Sequence, residues 1–255
     1  MLRKVMTKIL VMTVDSEIEI LLDKTLLDQG FEYYHKLHLN TASWLVFGPS
    51  GSGKSVFVKS IIGRLALYVP DSKVTICDGK ADDYTFLRGI PDARYFEYTD
   101  MSKGLAQFYS SFQDRLTGKD RERTFRLIVL EEWGSYLRIM EELDKKAAKV
   151  SQAQLFSITS EGRAYNTHAL LSVQRPDASL LTGFRENCTT VVGLGRISSE
   201  AARMVGFNEF DEFDGKESNQ GVGWLLSEEG LRHVQVPKIC NFEKLHRAIQ
   251  MAVTR

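Results

Sequence analysis

Residues Gly48-Pro49-Ser50-Gly51-Ser52-Gly53-Lys54-Ser55 spell G-x-x-x-x-G-K-S directly behind the apolar run Trp44-Leu45-Val46-Phe47. This order of residues reads as a short buried strand, a glycine-rich loop and a helix, against a chance glycine-rich turn before a helix. The glycines let the backbone curl so that successive N–H groups point inward, and the following helix adds the positive end of its dipole. The loop therefore reads as a cradle for the phosphates of a nucleoside triphosphate such as ATP. Lys54 is expected at the β- and γ-phosphates and the Ser55 hydroxyl at Mg²⁺.

The chain has 255 residues, enough for one large α/β domain or a domain with a small appendage. Thirty-three Lys and Arg balance thirty-three Asp and Glu, so no global field selects nucleic acid, membrane or an acidic partner. Any nucleic-acid contact must be a local patch. Cys77, Cys188 and Cys240 are an odd set without metal-like spacing, which suits reduced thiols in the cytoplasm. No apolar stretch reaches bilayer length, and Met1-Leu2-Arg3-Lys4 leads into no signal-type segment. Work at a membrane or capsid would require a partner protein to bring the chain there.

Glycine and proline punctuate the chain evenly, without repeats or low-complexity linkers. Val5 to Val14 reads as a strand, Ser16 to Leu27 as a helix or a second strand, and Phe31 to Leu39 as a strand or extended approach. From Trp44 the pattern becomes regular. The expected order is strand 44–47, phosphate loop, helix 54–68, strand 74–77, helix 103–116, charged loop 117–123 and strand 127–130. A long helical region through Glu161 follows, then strands 169–173 and 190–194, a strand pair at 223–226 and 232–236, and a closing helix 242–253. Short apolar strands alternating with helices predict an α/β fold, a mainly parallel central sheet with helices on both faces. Residues 1–38 are taken as a small N-terminal β/α extension, either docking a neighbour or adding strands to the sheet edge, and 39–255 as the P-loop NTPase domain.

Glu131 and Glu132 emerge behind Leu127-Ile128-Val129-Leu130, at the carboxyl end of a buried strand, where open α/β sheets place their ligands. One carboxylate would orient Mg²⁺ and its neighbour would polarise the water that attacks the γ-phosphate. Many proteins with such a motif carry Asp first, so Glu131 is a departure. Asp78-Gly79-Lys80 ends the next apolar strand, and Gln174 ends the strand Ala169 to Val173. An amide there can contact the γ-phosphate or the lytic water.

Together these residues resemble the FtsK/SpoIIIE family of motor ATPases, within the FtsK-HerA superfamily, over roughly Leu39 to Pro237. Besides the phosphate loop, Asp78-Gly79-Lys80 stands where the family has an Asp-x-Lys turn, and Glu131-Glu132-Trp133 where it has Asp-Glu-aromatic. Gly89-Ile90-Pro91 and Thr99-Asp100-Met101 fall in order between them. Gly162-Arg163-Ala164, His168 and Gln174-Arg175-Pro176 form the most specific stretch.

The resemblance implies a RecA-like motor that assembles as a homo-oligomeric ring, commonly a hexamer, and couples ATP hydrolysis to pulling double-stranded DNA. It also implies an arginine donated across the subunit interface to stabilise transition-state charge. Arg196 falls nearest the family's position, with Arg203, Arg185 and Arg163 as rivals. The chain resembles the bare motor of mobile elements and some viruses, without upstream membrane helices or a downstream DNA-reading domain. This points to conjugative transfer or genome packaging. Lys119 to Arg123, and Lys145, Lys146 and Lys149, are the basic clusters that could grip DNA phosphates, with acids interleaved among them. The competing readings are a secretion-type ATPase acting on protein substrates and a low-turnover nucleotide switch.

Overall fold

The computed structural model describes residues 17–41, 43–178, 181, 184, 187–217 and 219–255. The strand expected at Val5 to Val14 and the candidate Arg185 lie outside them. Among the described residues ten strands form one sheet: β1 (Glu17–Asp23), β2 (Tyr34–His38), β3 (Ser43–Phe47), β4 (Lys73–Asp78), β5 (Tyr95–Glu97), β6 (Arg126–Glu131), β7 (Thr167–Val173), β8 (Thr190–Leu194), β9 (Val222–Ser227) and β10 (Gly230–Gln235). Their order is β2-β1-β10-β9-β8-β3-β7-β6-β4-β5. The six strands from β8 to β5 are parallel, and the four from β9 to β2 join antiparallel.

Seven α-helices among the described residues cover the sheet: α1 (Lys24–Asp28), α2 (Lys54–Tyr68), α3 (Met101–Leu116), α4 (Trp133–Leu143), α5 (Lys145–Glu161), α6 (Ser199–Val205) and α7 (Phe242–Thr254). The buried strands carry apolar residues on both faces, so alternate residues feed two separate cores. Trp44, Val46, Val129 and Leu170 pack with α2 and α7. Leu45, Phe47, Ile128, Leu130 and Leu171 pack with α3, α4, α5 and α6. On α3, Met101, Leu105, Phe108 and Phe112 recur every three or four residues and form its buried stripe. Full burial of each such side chain contributes about 1.5–3 kcal/mol.

The differences from the sequence expectation are local. Ser16 to Leu27, open between helix and strand, divides into β1 and the single-turn α1, which Asp23 caps by accepting from Leu26 N. The segment 17–38 adds two strands to the sheet edge through β10, and Ile18, Ile20 and Leu37 share the core of α2. The helical region before Glu161 breaks at Asp144, whose non-helical backbone ends α4 and whose Oδ1 accepts from Lys146 N and Ala147 N to start α5. The three-residue β5 and the short α6 are additions.

Two residues of the 162–176 stretch serve packing. A Cβ on Gly162 would lie 2.2 Å from Thr167 O, so only glycine fits where the chain turns back into β7. His168 is buried and stacked against both Trp44 and Phe125, at ring-centroid distances of 6.0 and 4.7 Å, and those two rings also stack on each other at 6.1 Å. It stands at the amino end of β7, opposite to Gln174.

A candidate phosphate and metal site

Parallel pairing aligns the carboxyl ends of four neighbouring strands. Phe47 faces Val173, Glu131 faces Ser172, and Asp78 faces Glu131. With strands about 4.8 Å apart, the residues that follow β3, β7, β6 and β4 form a row roughly 15 Å long. The phosphate loop, Gln174, the paired glutamates and Lys80 occupy this row.

The loop from Gly48 to Gly53 is packed from behind. A Cβ on Gly48 would meet Leu194 O at 2.2 Å, and Ser52 O accepts Gly221 N–H at 2.8 Å. Gly221 O in turn accepts Val236 N–H at 2.7 Å, fastening the loop to the antiparallel strands. Pro49 and Ser50 form the outer turn, and Ser52 N bonds back to Pro49 O. Lys54 is buried, and its Nζ donates to Gly48 O at 2.7 Å and Pro49 O at 3.0 Å. Burial lowers its pKa, while Glu132 and Glu131 pull it back up. The donors suit polyphosphate: a buried ammonium, the Ser52 hydroxyl buried without a partner among the described residues, and the first-turn N–H groups of α2, which helix geometry leaves unpaired.

Glu131 ends β6 fully inside the protein, its Oε1 accepting from Tyr84 Oη at 3.1 Å. Burial pushes its carboxyl up to about 7. Glu132 holds a left-handed backbone, φ 54°, before α4 begins at Trp133. For a residue with a side chain this conformation costs about 1–3 kcal/mol, and here it turns the carboxylate back along the strand ends. Its oxygens receive Lys80 Nζ at 2.5 Å, Gln174 Nε2 at 3.2 and 3.4 Å, and Ser135 Oγ at 3.4 Å. Asp78 is buried, and its Oδ1 accepts Lys80 N and Ala81 N, forming the turn that presents Lys80. Burial raises its pKa, and those backbone bonds counter the rise.

Three participants escaped the sequence reading. Asp83 Oδ2 accepts from Ser55 Oγ at 2.8 Å, Lys59 Nζ lies 3.3 Å from Asp83 Oδ1, and Tyr84 bonds Glu131. The only sequence signal was a carboxylate five residues beyond Asp78 on the same edge of the sheet.

Of the candidate arginines, Arg196 follows β8 and is exposed, next to Gly195, where a Cβ would lie 3.0 Å from Ser52 Cβ. Arg203 is exposed on α6, and Arg163 is exposed before β7, at the opposite end of the strands. None of the three forms an ion pair with the described residues. In the loop 117–123, Asp120 pairs with Arg115 and Arg126, Glu122 with Lys73, and Arg123 lies over Tyr165. Lys145, Lys146 and Lys149 are exposed along the first turns of α5, without an ion pair among the described residues. No described helix is long and apolar enough to cross a membrane. Among the described residues no cluster of three or more His, Cys, Asp or Glu stands ready to cage a metal. A Mg²⁺ ion that keeps several waters and phosphate oxygens requires no such cage.

No protein-family model matches the chain. It is 22% identical over 209 residues to the DNA translocase FtsK of Leptospira interrogans, a match covering 71% of this chain and 21% of that protein. The cytoplasmic domain of the type VII secretion ATPase EccC of Thermomonospora curvata shares the fold with a TM-score of 0.64 at 17% identity, covering 94% of this chain and 31% of that one. The pCW3 conjugation coupling protein TcpA, solved with ATPγS, does so with a TM-score of 0.61 at 16% identity, over 87% of this chain and 65% of that one. The chain thus spans about a fifth of the curated relative's length. The α/β fold is that of P-loop ATPases.

Proposed function

We propose, from the FtsK-HerA motor domain that the sequence likeness and the shared fold support, that this chain is an ATP-hydrolysing ring motor that translocates double-stranded DNA. The observation that carries this reading is Glu132, held by Lys80 and Gln174 in the same row as Lys54 and Ser55.

Lys54 would neutralise the β- and γ-phosphates, and the loop N–H groups would fix their orientation. Glu132 would accept the proton of the attacking water. Gln174, bonded to that carboxylate, would couple its position to the end of β7. Ser55, with a carboxylate from Glu131 or Asp83, would hold Mg²⁺, which when bound neutralises charge on the β,γ-oxygens. A neighbouring subunit of the ring, a hexamer by resemblance, would donate Arg196 to the γ-phosphate.

Lys145, Lys146 and Lys149 are the favoured grip on DNA phosphates, because the charges of 117–123 are largely satisfied within the fold. Conjugative transfer or genome packaging is the proposed setting, in the cytoplasm, with a membrane-bound or capsid partner recruiting the ring. Fold likeness to a conjugation coupling protein supports the former. Fold likeness to a secretion ATPase supports a second reading, a ring that acts on protein substrates.

Steady-state ATP hydrolysis with and without long double-stranded DNA, with Glu132→Gln as blank, separates the two. Stimulation that fades as salt rises is the translocase result. Hydrolysis indifferent to DNA at every salt concentration would favour a protein substrate.

A further inference from the structure

We infer that Asp83, on the loop behind β4, supplies the carboxylate that backs the metal ion at Ser55, the role assigned from sequence to Glu131. The inference rests on the nucleotide-binding reading of the phosphate loop and goes beyond it by naming this residue.

A serine oxygen that ligates a divalent cation uses a lone pair and leaves its single proton for an acceptor behind it. Here that proton goes to Asp83 Oδ2, at 2.8 Å. The other oxygen of Asp83 faces Lys59 Nζ at 3.3 Å, one turn farther along α2, so the carboxylate is fastened across the first two turns of that helix. The Asp83 side chain is 32% exposed, so water can reach it, as the hydrated shell of Mg²⁺ requires.

Glu131 has neither property. It is 2% exposed, and one of its oxygens is taken by the Tyr84 hydroxyl. Asp83 and Tyr84 are consecutive, so one loop presents a carboxylate to Ser55 and a phenol to Glu131. Glu131 is thereby built into the floor of the site, and Asp83 into its metal-facing wall.

The test is the affinity for a fluorescent ADP analogue, measured at equilibrium in EDTA and in saturating Mg²⁺. Asp83→Asn keeps the shape and the acceptor for Ser55 and removes the charge. Its metal-free affinity should match wild type, while the Mg²⁺-dependent gain falls about tenfold, the usual cost of losing a residue behind a metal ligand. Glu131→Gln, and Asp82→Asn on the exposed neighbour, should keep the gain. If Asp83→Asn melts early, Asp83→Ser makes the same comparison.

Retention of the full gain in Asp83→Asn alongside its loss in Glu131→Gln would overturn the inference. Equal loss of metal-free and Mg²⁺-supported affinity in Asp83→Asn would also overturn it, since Asp83 would then only brace the loop. Wild-type protein that binds no nucleotide would overturn the nucleotide reading itself, a result distinct from both.

Discussion

Lys80 Nζ lies 2.5 Å from Glu132 Oε1, so the carboxylate proposed as the base is held by a cation from the adjacent strand end. The lysine is 42% exposed and the glutamate 11%, which makes the pair a positioning device more than a source of stability. Lys80→Met should lower kcat about tenfold or more, as misplaced catalytic groups do, with the KM for ATP little changed. Glu132→Gln should lower kcat at least about 100-fold and still retain ATP. Steady-state kinetics alongside nucleotide binding checks both, and an unaltered kcat in Lys80→Met would remove the positioning role.

Lys54→Ala should impair binding and turnover together. It deletes a buried ammonium that faces Glu131 and Glu132 as well as any phosphate. Loss of charge-assisted bonds worth about 1.5–3 kcal/mol predicts an ATP affinity about 10- to 100-fold weaker. Calorimetry would measure it, and unchanged affinity would count against the loop assignment.

Arg196→Ala should reduce hydrolysis by about 1,000-fold, the usual contribution of a trans arginine, while binding persists. The residue is exposed, and no ion pair to a described residue would be lost with it. Normal turnover in this variant would transfer the role to Arg203.

Much of the site was legible because its determinants are local. The phosphate loop is a contiguous strand-turn-helix, and Glu131-Glu132 and Gln174 each end a strand whose apolar run marks it as buried. Alignment of those ends then follows from parallel pairing. Asp83 was illegible because its partner Ser55 lies 28 residues away and the loop behind β4 that carries it has no periodicity to fix it. The break at Asp144 was hidden for a different reason. Its cap depends on a backbone conformation, φ −153°, that the surrounding helix-forming residues do not announce. His168 belonged to the recognised pattern, yet its stacking with Trp44 and Phe125 needs three strands or loops already in place.

Gly162→Ala should destabilise the fold without touching the nucleotide row. Its new methyl would lie 2.2 Å from Thr167 O, and relief by backbone shifts costs about 1–3 kcal/mol. Thermal melting should therefore fall by roughly 2–12 °C for a chain of this size, with ATP affinity retained.

The three thiols should react in two classes. Cys77 is buried and its pKa is pushed up by that burial, and burial likewise pushes Cys188 up to about 12. Cys240 is exposed. A disulfide-exchange reagent should titrate Cys240 rapidly in the native protein and all three only after unfolding. Rapid release of more than one equivalent from native protein would contradict this packing.

The hydrogen bonds from Gly221 N–H to Ser52 O and from Val236 N–H to Gly221 O make the phosphate loop part of a relay. A ligand that shifts Ser52 O would load or release the first bond of that relay, and the strain would pass to Val236, just behind β10. Deuterium uptake at those two amides should then change with loop occupancy, readable on the antiparallel side of the sheet, away from the paired glutamates.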